Sequence, residues 1–206
     1  MSVASLLDLT SSQVMDCIFE GTLPPSAYQL DPVISNRLFE EYCRIYDIEI
    51  TKSVMKEICS RLNVTRVDMR HCVVQRSEIL ILQNQNIESL VMGSLMCLEP
   101  KQITGPVTIS KLLPSLVSLG IAGRPLNATE FTTLCTCYPN LRNLDISNTN
   151  VKDLRGISNL SNLEVLAIGG LEVTDMKEVF ELKKLRMPLL SPKPTRIVPF
   201  MPPSAP

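Results

Sequence analysis

The sequence predicts an α/β solenoid: short parallel strands with helical or irregular returns, stacked copy on copy behind a small helical N-terminal section. Three observations predict it. A frame of the form L-x-x-L-x-I recurs at Leu141, Leu144 and Ile146, at Leu163, Leu166 and Ile168, and at Leu116, Leu119 and Ile121. Looser copies stand at Ile87, Leu90 and Met92 and from Val64. The last two apolar residues of the three strict copies flank a polar or small one, the period of a strand with one buried face. Copy starts at 64, 87, 116, 141 and 163 lie 23, 29, 25 and 22 residues apart. A unit of that length cannot bury its own apolar face, so neighbours must stack to do so. This is the spacing of leucine-rich repeats.

Taken in order, the chain divides into residues 1–62, 63–187 and 188–206. In the first part SVASLLDL reads as helical, with Val3, Leu6 and Leu7 on one side. Thr10-Ser-Ser-Gln13 has the form of a capping box opening a second helix, whose apolar face is Val14, Met15, Ile18 and Phe19. Gly21 to Tyr28 reads as a loop. Asp31 can cap a further helix with Pro32 in its first position, where the missing N–H is not needed. Ile34, Leu38, Tyr42 and Ile45 form its packing stripe. Another helix near Ser53 to Leu62 places Val54, Ile58 and Leu62 inward.

From Val64 the period changes from helical to alternating, and the helices before it can cover the apolar end of the stack. Asn127-Ala-Thr-Glu130 is a capping box that opens a helix through about Cys137, stopped near Pro139. Val151 to Leu160 and Val173 to Leu182 are returns of similar length. Seven of the nineteen residues from Pro188 to Pro206 are proline, a composition that predicts a disordered tail. Leu182-Lys-Lys-Leu185 opens one more copy, which the prolines interrupt.

Twenty Lys and Arg against twenty-one Asp and Glu leave a net charge of −1, so no overall basic excess points to nucleic acid or an acidic membrane. The longest apolar runs are far too short to span a bilayer, and no basic region followed by an apolar one opens the chain. The expectation is a soluble protein of the cytoplasm or nucleus. Seven cysteines then read as reduced thiols, and the N-x-T/S triplets at Asn63, Asn127 and Asn159 carry no glycan.

The residues give no sign of catalysis, a metal or a cofactor. His71 is the only histidine, which removes multi-histidine metal sites and makes any Ser/His/Asp set depend on it. Cys135 and Cys137 form C-x-C, but the other cysteines are scattered singly, so buried small hydrophobes are the expected reading. Gly169-Gly170 belongs to a repeat rather than to a phosphate loop. Asp145, Asp153 and Asp175 fall at different repeat positions and form no carboxylate pair. The residues pointing away from the core are Ser118, Gly120 and Ala122, Asn143, Asp145 and Ser147, and Val165, Ala167 and Gly169. Most are small, which suits a concave sheet that a partner approaches closely; tight curvature alone also accounts for them.

SLLDL at Ser5 to Leu9, ISNRLFEEY at Ile34 to Tyr42 and LRNLDISNTNVKDL at Leu141 to Leu154 occur in an order that resembles the Zyg eleven family. That resemblance implies a substrate-recognition subunit of a cullin-2 RING-type E3 ubiquitin ligase: an N-terminal box for elongin C and cullin-2, then leucine-rich repeats. The family's armadillo-like region has no counterpart after residue 187. By the resemblance, Ser5, Leu6, Leu9 and Thr10 bind elongin C, with Thr10 standing where the box carries Cys. Leu30, Pro32, Ile34 and Leu38 contact cullin-2, with Pro32 shifted by one position. A structural cap at Thr10 and an ordinary helix-opening proline at Pro32 remain the alternatives. Leu9 to Phe19 also resembles the opening helix of an F-box, which implies a Skp–cullin adaptor instead, and a repeat module without a ligase partner is the third reading.

Overall fold

A computed structural model describes residues 13–17, 20, 22, 30–45, 52–70, 80–92 and 110–189. Ser5 to Thr10, His71 and the chain beyond Leu189 lie outside the described residues. Six strands form one parallel sheet in chain order. They are β1 (Arg66–Met69), β2 (Ser89–Met92), β3 (Ser118–Gly120), β4 (Asn143–Asp145), β5 (Val165–Ala167) and β6 (Met187–Leu189). The register aligns Leu90, Leu119, Leu144 and Leu166 side by side. All the frame residues of the five copies are buried, Val64, Val67 and Met69 of the weakest included. Burying each such side chain contributes roughly 1.5–3 kcal/mol, and stacking is what makes that burial available. A fourth buried row stands three residues before the first Leu of a copy, at Leu113, Tyr138, Leu160 and Leu182.

Hydrogen bonds between copies follow one rule. The carbonyl of the residue preceding a strand accepts two N–H groups from the next copy. Thr65 takes those of Glu88 and Ser89 at 2.8 and 3.1 Å, and Glu88 those of Val117 and Ser118 at 2.8 and 3.0 Å. Val117 takes those of Arg142 and Asn143 at 2.8 and 3.1 Å, and Arg142 those of Glu164 and Val165 at 2.8 and 3.0 Å. The turn leaving the strand is equally repetitive: seven residues after the first Leu the backbone is left-handed, at Gly123, Asn148 and Gly170 with φ of 71°, 56° and 73°. Glycine adopts this freely, and asparagine is among the few other residues that tolerate it. A Cβ on Gly170 would stand 2.2 Å from Asn148 Oδ1.

Before the sheet lie α1 (Pro32–Ile45) and α2 (Lys52–Arg61). Asp31 Oδ1 accepts the Val33 N–H at 2.7 Å, the cap expected before Pro32. The buried face of α1 is Ser35, Asn36, Leu38, Phe39, Tyr42 and Cys43. Ile34 is not in it, being 50% exposed, and Val33 is 75% exposed. At 100° per residue an arc spanning positions 35 to 43 leaves position 34 on its flank, so Ile34 does not belong to the packing stripe as its spacing suggested. In α2, Ile58 is buried, as is Leu62 just beyond it.

Ser35 and Asn36 join α1 to β1. Asn36 Oδ1 accepts the N–H groups of Thr65 and Arg66 at 2.8 and 2.9 Å, and its Nδ2 donates to Thr65 Oγ1 at 3.0 Å. A preceding copy would supply a backbone carbonyl at this place; here a side-chain carbonyl does. Ser35 Oγ accepts the Asn63 N–H at 3.3 Å. Gln85 bridges Val64 N, at 3.0 Å, and the Cys59 carbonyl, at 2.6 Å. The first strand therefore meets a satisfied polar seam instead of bare backbone.

Among the described residues the returns include α3 (Ala128–Cys137) and the 3-10 segments Leu80–Asn84, Ile157–Asn159 and Lys177–Glu181. The box at Asn127 and Glu130 forms as expected, with Asn127 Oδ1 accepting from Glu130 N at 2.9 Å and Glu130 Oε2 accepting from Asn127 N at 3.0 Å. The last copy runs further than the composition suggested. Pro188 and Leu189 belong to β6, because proline is tolerated on an edge strand where its missing N–H would point outward.

Glu178 ties the last two returns together. Its Oε2 accepts the Ser158 hydroxyl at 2.9 Å and the Gly156 N–H at 2.7 Å. The Ser158 hydroxyl chiefly, then the Gly156 and Ser158 N–H groups, hold this carboxyl below the ordinary glutamate range against a smaller opposing effect of burial. A carboxylate depressed by folding contributes stability that is present above its unfolded pKa and is lost as pH falls through its folded one. Thermal melts across the acid limb should show Glu178→Gln melting lower than wild type at neutral pH and converging with it as pH falls below about 4.5, so that the variant's dependence on pH is flatter.

Candidate functional site

The strands are only three or four residues long, and their small outward residues leave a concavity of about 480 Å³ on the sheet. Seven of the nine residues expected on this face line it: Ser118, Gly120, Ala122, Asn143, Asp145, Val165 and Ala167. Ser147 and Gly169 do not. They hold the turn above it, Ser147 Oγ accepting the Gly169 N–H at 3.1 Å while Ser147 N donates to Asp145 Oδ1 at 2.9 Å.

Two residues missed from the sequence also line the concavity, Arg70 and Val91. Val91 was readable, since it alternates with buried Leu90 and Met92. It also sets the size of its neighbour: a Cβ on Gly120 would meet Val91 Cγ1 at 3.1 Å. Arg70 follows the weakest copy, where the frame gives little guidance. Its guanidinium forks onto Asp68, with Nε 3.1 and 3.0 Å from Oδ1 and Oδ2 and Nη2 2.6 Å from Oδ2. Those bonds first, then the charges of Asp68 and more weakly Asp145, raise its pKa. An exposed pair of this kind contributes at most about 1 kcal/mol, but it fixes where the side chain lies. The concavity thus offers one guanidinium paired at home, one carboxylate at Asp145, the amide of Asn143, the hydroxyl of Ser118 and apolar patches between. Such groups can offer hydrogen bonds and close contact.

The expected cullin-contact residues separate in the structure. Leu38 is buried in the core and Leu30 packs partly against it, while Ile34 stands exposed beside Val33 on the first turn that Pro32 opens. The three aspartates at different repeat positions share a local role: Asp145, Asp153 and Asp175 each accept the N–H two residues on. Among the described residues no group of three His, Cys, Asp or Glu gathers to hold a metal, and no helix is long and apolar enough to cross a membrane.

Residues 139–186 match the family model described as leucine-rich repeats in two copies. The chain is 27% identical to Gastrulation-defective protein 3 of Caenorhabditis elegans over 222 residues, which cover 89% of this chain and 31% of that protein. The chain therefore spans about a third of that relative's length. Among solved structures, an internalin from Listeria monocytogenes is similar at 20% identity and a TM-score of 0.46, covering 68% of this chain and 37% of its own. Repeat frame and parallel register define the described fold as a leucine-rich-repeat solenoid, with residues 139–186 matching that family's model, and such a scaffold serves as a protein-interaction module.

Cysteine accessibility gives a check on the packing beneath the site. Cys43, Cys59 and Cys135 are buried, while Cys17 and Cys137 are partly exposed. Burial pushes the Cys59 and Cys135 thiols up to about 12, so at pH 8 they carry almost no reactive thiolate. Iodoacetamide followed by peptide mass spectrometry should label Cys17 and Cys137 in the native protein, and should label Cys59 and Cys135 only after denaturation.

Proposed function

We propose that this chain is a non-enzymatic substrate-recognition subunit of an elongin C–cullin-2 E3 ubiquitin ligase, docking through its N-terminal section and offering the concave repeat face to a protein partner. The observation that carries the docking half is the apolar pair Val33 and Ile34, exposed on the first turn of α1. Single exposed hydrophobes are ordinary, but two adjacent ones on a rigid helix make a contact surface. The ordered resemblance to the Zyg eleven family supports the identity of the ligase. Similarity to Gastrulation-defective protein 3 across most of this chain supports a shared arrangement of helices followed by repeats.

On this reading Leu6 enters elongin C, with Ser5, Leu9 and Thr10 around it, while Ile34 and Pro32 face cullin-2. Leu38 and Leu30 support α1 from the core side. The polar seam at Ser35 and Asn36 fixes α1 to β1, so a ligase bound on the outer turn holds the concave face at a set angle. A partner there meets Asn143, Asp145 and Ser118 over a floor of small residues.

Size-exclusion chromatography of the chain with elongin B/C should show co-elution that Leu6→Ala abolishes. Adding cullin-2 should extend the complex, and Ile34→Asp should remove only this second step, since an exposed position tolerates a carboxylate without loss of fold. Separate elution of the wild-type chain from elongin B/C sinks the proposal, and binding to Skp in its place assigns the chain to the F-box class.

A further inference from the structure

Within the repeats four aspartates make the same local bond, each accepting the N–H two residues on. Asp68 takes that of Arg70 at 3.0 Å, and Asp145 that of Ser147, Asp153 that of Arg155 and Asp175 that of Lys177, each at 2.9 Å. At Asp68, Asp153 and Asp175 the residue two on is also a cation, whose side chain pairs with the same carboxylate. At Asp145 it is Ser147, and the Ser147 hydroxyl oxygen accepts the Gly169 N–H. Asp145 therefore has the turn donor but, among the described residues, no counter-ion.

Its position makes that difference matter. Asp68 and Asp145 occupy the same place in their copies, one between buried Val67 and Met69, the other between buried Leu144 and Ile146. Both consequently point to the concave side. The register sets Gly120 on one side of Asp145 and Ala167 on the other, so no neighbour in its row has a side chain long enough to cover the carboxylate. Arg70 and Asp145 are the charged groups lining the concavity. The Arg70 guanidinium is already forked onto Asp68, which leaves Asp145 as the uncompensated charge of the lining.

The Asp68 pair also shows what such a carboxylate accepts. Its Oδ1 takes the turn N–H and still shares a guanidinium with Oδ2, so the turn bond does not block a fork. A guanidinium has five N–H donors in a plane and matches a carboxylate with two of them. Asn143 and Ser118 line the same concavity and can accept from the others, while Ala122, Val165 and Ala167 offer an apolar bed for the aliphatic stem.

We propose that the concave face takes an extended segment of a protein partner that carries an arginine, its guanidinium forking onto Asp145 as Arg70 forks onto Asp68. This rests on the concave face being the partner surface and not on the identity of the ligase.

NMR titration of the full chain with the blocked peptide acetyl-Ala-Ala-Arg-Ala-Ala-amide tests it, against the same peptide with citrulline, which keeps the shape of arginine without its charge. The expected result is amide shifts at Gly120, Asn143 and Asp145, with the arginine peptide bound roughly fivefold tighter or more. Asp145→Asn keeps an acceptor for the Ser147 N–H and should bring the two peptides to equal affinity with the melting temperature unchanged. Ser147→Arg supplies a cation from the chain itself, as Arg70 does for Asp68, and should have the same effect on the peptides. Equal affinity of the two peptides for the wild-type chain, an absence of shifts on the concave strands, or an arginine preference that survives Asp145→Asn overturns the proposal. Each of these outcomes is independent of co-elution with elongin B/C, so failure here and failure of the ligase reading are told apart.

Discussion

The structure depends on how each copy satisfies the backbone of the next. A strand of three residues makes too few ladder bonds to hold itself in place, and the doubled bonds to the carbonyls of Thr65, Glu88, Val117 and Arg142 add two N–H partners at each entry. Buried backbone donors left unpaired cost about 1–3 kcal/mol each, so the register is enforced at the strand start as well as by the aligned leucines. A one-residue slip would turn those leucines onto the concave side.

A device that needs a preceding copy has a problem at its beginning. Asn36 solves it by placing a side-chain carbonyl where the backbone of a further copy would be, and Ser35 and Gln85 satisfy the N–H groups of Asn63 and Val64 beside it. At the other end Pro188 leaves no outward donor to satisfy. The two edge strands of the described sheet thus differ in chemistry, an acceptor supplied at β1 and a donor absent at β6. Between them the short strands curve tightly, and the same small residues that permit the curvature leave the concavity open.

The repeat core was legible in the sequence because one residue type at one spacing recurs, and even the faint copy at Val64, Val67 and Met69 packs as its frame indicates. The box at Asn127 and Glu130 was legible because two residues at a fixed offset carry the whole mechanism. Most of the concave face followed from alternation. Arg70 did not, since its position comes from a fork onto Asp68 that no periodicity encodes. Asn36 did not either: an asparagine in mid-helix looks like a weak helix former until its partners, 29 and 30 residues away, are seen. Ile34 was misplaced for a related reason, its spacing fitting a stripe whose true centre is set by Ser35, Asn36 and Phe39 meeting the sheet. Pro188 read as the start of a tail because composition carries no information on which strand is the edge.

The central claim, that the Asn36 side chain stands in for the carbonyl of an absent repeat, is tested most directly at that residue. Urea unfolding combined with amide hydrogen exchange on Asn36→Ala and Asn36→Asp separates the acceptor from the bulk of the side chain. The account predicts a loss of about 2–3 kcal/mol for the alanine variant, from two N–H groups left without a partner, with exchange accelerated at Thr65 and Arg66. It predicts a smaller loss for the aspartate variant, which keeps the acceptor. An alanine variant within about 0.5 kcal/mol of wild type, with Thr65 and Arg66 still protected, would contradict it.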